Sequence, residues 1–196
     1  MALHPKNRLT FQMRTSALGP DGAVLDPDGP AQDKMEFLDI VVDGKPLRDT
    51  LDVSSEDDRP TQHTTFLREA RPELAIPQID RLLGRITGDF ADGRIALFVC
   101  PICSDLACGA LTMELRASAE TVSWLHLGWQ DGITDEPQPW LLPEQSLSFE
   151  RPTYETELLA LREHFTSLLK SGRPFSASGA GHTILDRVRS LFTKTP

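Results

Sequence analysis

Three cysteines lie within nine residues of one another, at positions 100, 103 and 108, and they are the only cysteines in the chain. Thiolates bind zinc well, and two cysteines separated by two residues can chelate one ion. A closed structural zinc site needs a fourth ligand. His126 is the candidate, provided that the register of its strand brings it to the cysteines. The sequence thus indicates a candidate structural zinc site, with Cys100, Cys103, Cys108 and His126 as its ligands.

Two other interpretations of the cysteines compete with zinc. One observation counts against zinc: a four-ligand structural site normally consists of two pairs of ligands, and the chain lacks the second pair. Cys100 and Cys103 have the C-x-x-C spacing of thiol-disulfide exchange, but in thioredoxin-like proteins that motif opens a helix. In the third interpretation the thiols only pack, because cysteine behaves as a small hydrophobic residue. The sequence favours this last interpretation.

No recognisable catalytic signature accompanies the thiols. A cysteine nucleophile needs a base beside it, whereas the five histidines are scattered along the chain. The chain has no G-x-S-x-G, H-E-x-x-H, phosphate-loop or dinucleotide-binding motif. We therefore predict no catalytic residue and no cofactor-binding residue, and we lean towards a protein that is not an enzyme.

The cysteines are predicted to lie in a β-hairpin. Ile95–Val99 is continuously apolar, 111–116 alternates apolar and polar residues, and 122–129 is a third β-favouring run. The short connections indicate an antiparallel meander, since parallel strands need long crossovers. The cysteines then occupy the connection between the first two strands. Alternation predicts Trp124 and His126 on one face of the third strand, with Leu125, Leu127 and Trp129 on the other.

The remaining pattern predicts an α+β fold, a mostly antiparallel sheet of five or six strands packed by two to three helices. Further strands are predicted at 8–15, 37–42 and 147–149, and Asp43-Gly44 predicts a turn. Apolar residues at helical spacing predict one helix over 76–86, with Pro77 in its first turn, and another from an N-cap at Thr153 to Lys170. We predict one α+β domain over 1–172, then a flexible linker and an amphipathic helix over 173–196.

Net charge and hydropathy indicate which classes of partner the chain can bind. The net charge is −9, from 29 acidic and 20 basic residues. This balance disfavours nucleic acid, whose binding relies on Lys and Arg, and is compatible with a basic protein partner. No apolar run approaches the roughly 18 residues of a membrane helix, and the N-terminal residues lack a signal-peptide h-region. We expect a cytoplasmic protein that binds neither membrane nor nucleic acid.

Three short segments carry a resemblance. They are CPICSDLACG from Cys100, the Val122–Trp124 V-x-W, and the F-x4-Y segment from Phe149 to Tyr154. In this order, over about 40% of the chain, they resemble a group of uncharacterised bacterial proteins with a C-x2-C-x4-C-G turn between two strands. The sequence departs from that pattern at Ser104 and Ala107, where the group usually has glycine. The resemblance implies a fold and brings no activity with it.

Two functional hypotheses follow. The first is a small, acidic, non-enzymatic protein-binding module, such as a toxin-neutralising immunity protein or an accessory subunit. The second is a zinc-stabilised or thiol-redox protein that uses the three-cysteine loop.

Overall fold

The computed structural model describes residues 6–15, 36–51, 64, 72–99, 105–133, 140–141 and 146–171. These residues form eight strands, three α-helices and one 3-10 helix. In chain order the elements are β1 (Leu9–Thr15), β2 (Glu36–Val42), β3 (Lys45–Pro46), α1 (Leu47–Thr50), α2 (Pro72–Leu82), β4 (Ile95–Val99), the 3-10 helix (Leu106–Cys108), β5 (Ala110–Ala117), β6 (Thr121–Gln130), β7 (Trp140–Leu141), β8 (Leu147–Glu150) and α3 (Arg151–Ser171).

The strands form two antiparallel sheets. One has the order β1-β2-β3, and the other has the order β4-β5-β6-β7, with β8 also paired to β6. A parallel bridge between Asn7 and Phe149 joins β8 to the chain just before β1. There the Asn7 N–H donates to the Ser148 carbonyl at 2.6 Å, and the Ser148 N–H donates to Asn7 Oδ1 at 2.9 Å. The predicted α+β class, the antiparallel meander and the packing helices are confirmed.

Both long helices begin earlier than the sequence indicates. α2 spans Pro72–Leu82 rather than 76–86, so Pro77 lies in its second turn. It ends where Gly84 takes a φ of 68° and donates to the Arg81 carbonyl, while the Arg85 N–H donates to the Asp80 carbonyl. These two bonds form a Schellman motif, which terminates a helix. α3 starts at Arg151, so Thr153 is a first-turn residue and not the N-cap.

Aromatic residues connect the helices to the sheet. Trp124 of β6, Phe149 of β8 and Tyr154 of α3 are buried, with ring centroids 5.1 to 6.2 Å apart. Trp124 Nε1 donates to the Tyr154 hydroxyl at 3.1 Å, and that hydroxyl donates to the Leu82 carbonyl at 2.9 Å. Burial raises the pKa of Tyr154 far above its ordinary value. This hydroxyl therefore remains a neutral link between α2, α3 and β6.

An ion pair joins the two long helices at their surface. Arg162 of α3 donates through Nε and Nη2 to the two carboxylate oxygens of Asp80 in α2, at 2.8 and 3.0 Å. Arg85 adds a contact at 3.3 Å. The bonds from Arg162, followed by the charges of both arginines and the bond from Arg85, lower the pKa of Asp80 below 3.8 although partial burial opposes them.

Replacing Asp80 with asparagine is expected to reduce the free energy of unfolding at neutral pH by about 1–2 kcal/mol. Because the pKa is lower in the folded state, this contribution is fully present above pH 3.8 and is lost as the pH falls through the folded value. Urea unfolding from neutral to acidic pH should show the two proteins converging on acidification. Glu73→Gln, on the exposed side of α2, is the control. A constant difference across this range would contradict the assignment.

The described residues include no helix that is long and apolar enough to cross a membrane. The predicted linker and amphipathic helix over 173–196 lie outside the described residues.

Candidate functional site

The structure describes one of the three cysteines. Cys108 is exposed at the end of the 3-10 helix, in the connection between β4 and β5 where the sequence predicts it. Asp105 caps this helix by accepting from the Ala107 N–H at 2.9 Å. Gly109, with a φ of 87°, ends it by donating to the Leu106 carbonyl at 2.9 Å. Cys100 and Cys103 lie outside the described residues.

The 3-10 helix packs against the end of β6. Ala110 of β5 pairs with Gln130 of β6. Just beyond this pair, the Gly132 N–H donates to the Leu106 carbonyl at 3.0 Å. Ile133 then donates its N–H to Asp131 Oδ1 at 3.1 Å, forming a tight turn. These bonds hold residues 105–110 and 129–133 together, and we call this region the cysteine end of the sheet.

A second polar contact fixes the same region from the side of β4. Asp92, in the turn before β4, accepts from Gln130 Nε2 and from the Arg94 N–H, each at 3.1 Å. Gln130 is buried, and within the described residues its Oε1 has no hydrogen-bond donor. The carboxylate of Asp92 is exposed and is oriented by two neutral N–H groups. The cysteine end thus carries a fixed negative charge beside a buried amide.

His126, the predicted fourth zinc ligand, pairs with a carboxylate. Its Nδ1 lies 2.8 Å from Glu114 Oε2, and Arg116 Nε donates to the other carboxylate oxygen at 2.7 Å. The bond from Arg116 and then the bond from His126 lower the pKa of Glu114. An imidazole held in this way has its Nδ1 occupied and its orientation set by the neighbouring strand.

A β-bulge at His126 changes the face assignment of β6. Thr112 pairs with Gly128 and Glu114 with Leu125, so β6 has one residue more than β5 between these pairs. His126 takes a φ of 52° and is exposed, while Trp124 and Leu127 are both buried. The predicted alternation, which placed Trp124 with His126 and opposite Leu127, is therefore wrong at this point. An extra residue reverses the face on which later side chains lie.

A buried arginine holds the bulge in place. Arg94 donates through Nε to Thr112 Oγ1 at 2.8 Å and through Nη2 to the carbonyls of Thr112 and His126. Burial lowers the pKa of Arg94, while the charges of Asp92 and Glu114 oppose that shift. No pattern in the sequence indicates this role, because the acceptors are mostly backbone carbonyls on two other strands.

The structure does not bring His126 close to Cys108. His126 lies beside Glu114, four residues along β5 from Ala110, which is about 13 Å at the rise of a strand. Among the described residues, no group of three His, Cys, Asp or Glu side chains is arranged to hold a metal ion. Zinc binding stays a prediction that rests on Cys100 and Cys103, outside the described part of the chain, together with Cys108.

Sequence reasoning missed Ile133, the most exposed large apolar side chain in the described part of the chain, with 70% of its surface accessible. It follows the predicted strand and precedes a proline-containing stretch, so nothing local distinguishes it. Only the pairing of β5 with β6 and the bond from Gly132 to Leu106 bring its turn next to the 3-10 helix. Comparison of the chain with protein-family models, curated proteins and solved structures finds no match in any of the three.

Proposed function

We propose that this chain is a small, acidic, non-enzymatic protein-binding module, of the immunity-protein or accessory-subunit kind, with a basic protein as its partner. The observation that carries the proposal is the acidic balance of the chain, whose net charge is −9 from 29 acidic and 20 basic residues. Residues 95–150, which include the three-cysteine segment, contain eight acidic residues and a single basic residue, Arg116.

An excess of acidic residues supports recognition of a basic partner for a physical reason. A local excess of one sign steers an oppositely charged protein and raises its association rate, and salt screens this effect. Some carboxylates are paired with arginine within the fold, as Asp80 is with Arg162 and Glu114 with Arg116. The acidic residues of the chain still outnumber all of its lysines and arginines by nine.

A pull-down from native lysate of the source organism, with the full chain as bait, tests the proposed function. We expect one partner in stoichiometric amount, with recovery that falls steeply as the ionic strength rises. Repeated recovery of no stoichiometric partner at low ionic strength would count against a binding module. A partner whose recovery does not depend on salt would argue against the electrostatic basis of recognition.

The alternative proposal is a zinc-stabilised or thiol-redox protein, and the exposed thiol of Cys108 in the cysteine connection supports it. Metal analysis of untagged protein, together with thiol titration, separates the two proposals. About one zinc per chain, lost when all three cysteines are replaced with serine, would favour the structural metal site. This alternative would be contradicted by wild-type protein that contains no metal, has thiols of ordinary reactivity, and is no more stable than the variant with all three cysteines replaced with serine.

A further inference from the structure

We propose that His126 accepts a phosphoryl group on Nε2 from a donor that carries phosphate on nitrogen, with Glu114 as the residue that positions the imidazole ring. The inference goes beyond the proposed binding module and does not depend on it. His126 Nδ1 lies 2.8 Å from Glu114 Oε2, and the histidine side chain is 54% exposed. A nucleophilic histidine of this kind has one nitrogen oriented by an acceptor and the other open to the reactant.

The carboxylate of Glu114 determines which ring nitrogen is open. The bond from Arg116 and then the bond from His126 lower the pKa of Glu114, so its carboxylate is ionised at neutral pH and only accepts hydrogen bonds. Nδ1 is therefore the protonated nitrogen, and in the neutral ring Nε2 keeps its lone pair. No group in the described part of the chain forms a hydrogen bond with Nε2. The nucleophilic nitrogen is thus the one that a reactant can approach.

The backbone fixes the ring in this orientation. His126 lies at the β-bulge with a φ of 52°, which is uncommon for a residue with a side chain. Bulges re-aim side chains next to functional sites. The buried Arg94 donates to the His126 carbonyl and, through Nε, to Thr112 Oγ1 at 2.8 Å. Carboxylate and bulge together orient the imidazole in advance, and orientation in advance lowers the barrier to a reaction.

The transfer balances with phosphoramidate, whose nitrogen is protonated, as the donor. The Nε2 lone pair forms the bond to phosphorus while the P–N bond of the donor breaks, and the donor nitrogen leaves with that electron pair as ammonia. Nδ1 keeps its proton, so the ring gains a positive charge, which the Glu114 carboxylate stabilises. Arg116, which donates through Nε to the other oxygen of Glu114, supplies a cation on the same surface for the phosphoryl oxygens.

Two other uses of an exposed imidazole fit this geometry less well. A metal ion needs further ligands, but the described residues offer no group of three metal-binding side chains, and both oxygens of Glu114 are engaged. A general base needs the group that it deprotonates within hydrogen-bond reach. Within the described residues no hydroxyl or thiol forms a hydrogen bond with Nε2. Direct attack by Nε2 is the chemistry that remains.

The experiment incubates the purified full chain with phosphoramidate at neutral pH and follows the five histidines by mass spectrometry of their peptides. We expect His126 to be phosphorylated first, and phosphorus NMR to place the phosphoryl group on Nε2. Glu114→Gln keeps an acceptor oxygen for Nδ1 but loses the charge, and should slow phosphorylation of His126 by about tenfold. Glu120→Gln, at an exposed glutamate in the turn before β6, is the matched control and should leave the rate unchanged.

Equal rates at His126 and at the other four histidines would overturn the proposal, and so would a phosphoryl group on Nδ1. An unchanged rate in Glu114→Gln would overturn the positioning role of the carboxylate. Circular dichroism checks that the variants fold. If Glu114→Gln does not fold, the comparison of the five histidines within the wild type still decides the proposal. None of these results bears on the pull-down, which tests the proposed function separately.

Discussion

Replacing Gly88 with alanine is expected to lower the free energy of unfolding by about 3 kcal/mol. A Cβ at Gly88 would lie 2.5 Å from the Arg94 carbonyl oxygen and closer still to that of Gly93. Both obstacles are backbone atoms of the turn that leads into β4, and this turn is closed by a bond from the Asp89 N–H to the Arg94 carbonyl at 2.8 Å. The backbone must open to admit the methyl group. Urea unfolding measures the loss.

Opening this turn also exposes the outer edge of β4. Asp89 Oδ2 accepts from the Ala96 N–H at 3.0 Å, and Gln78 Nε2 donates to the Ala96 carbonyl at 2.6 Å. Gly93→Ala, in the same turn, is the control. Its φ of 84° disfavours a side chain, but no atom lies within 4 Å of the added Cβ, so about 1 kcal/mol should be lost. A Gly88→Ala protein as stable as Gly93→Ala would contradict the steric argument.

Replacing Asp39 with alanine is expected to destabilise the protein by about 3 kcal/mol, because it removes a buried carboxylate and leaves the partly exposed donors of Arg48 and Arg14 without their acceptor. Asp39 of β2 is fully buried. Arg48 donates to its two carboxylate oxygens at 2.9 and 3.1 Å, and Arg14 donates at 3.1 Å. The Arg48 guanidinium also lies 4.8 Å from the ring centroid of Phe37 and 5.3 Å from that of Phe98. One carboxylate thus orients an arginine that connects β2 with β4.

Asp49→Ala is the matched control for Asp39→Ala. Asp49 lies 3.5 Å from the same Arg14, but its side chain is 52% exposed, and exposed pairs contribute only about 0–1 kcal/mol. Thermal and urea unfolding of the two variants should differ by several-fold in the free energy that is lost. Similar losses would show that burial does not set the strength of this ion pair.

The strands of this fold could be predicted because their signals are local. Ile95–Val99 is continuously apolar, and Asp43-Gly44 marks a turn that the structure places between β2 and β3. The bulge at His126 could not be predicted, because it depends on Arg94, which holds the His126 carbonyl from another strand. The start of α2 at Pro72 was missed because the apolar spacing begins at Ile76.

Part of the candidate site could likewise be predicted from local sequence, and part could not. Residue type and spacing draw attention to the cysteines, and the predicted hairpin places Cys108 correctly in the connection between β4 and β5. The association of Leu106 with Gly132, and hence the position of Ile133, depends on strand register across more than twenty residues of sequence. Register is a property of the paired sheet, so this association is seen only in the folded chain.

The most direct test of the account is the pull-down from native lysate with the full chain as bait, repeated at low and high ionic strength, with the amount of partner measured by quantitative mass spectrometry. We predict that one partner is recovered in stoichiometric amount at low ionic strength, and that its recovery falls steeply as the ionic strength rises. Repeated recovery of no stoichiometric partner at low ionic strength would contradict the account.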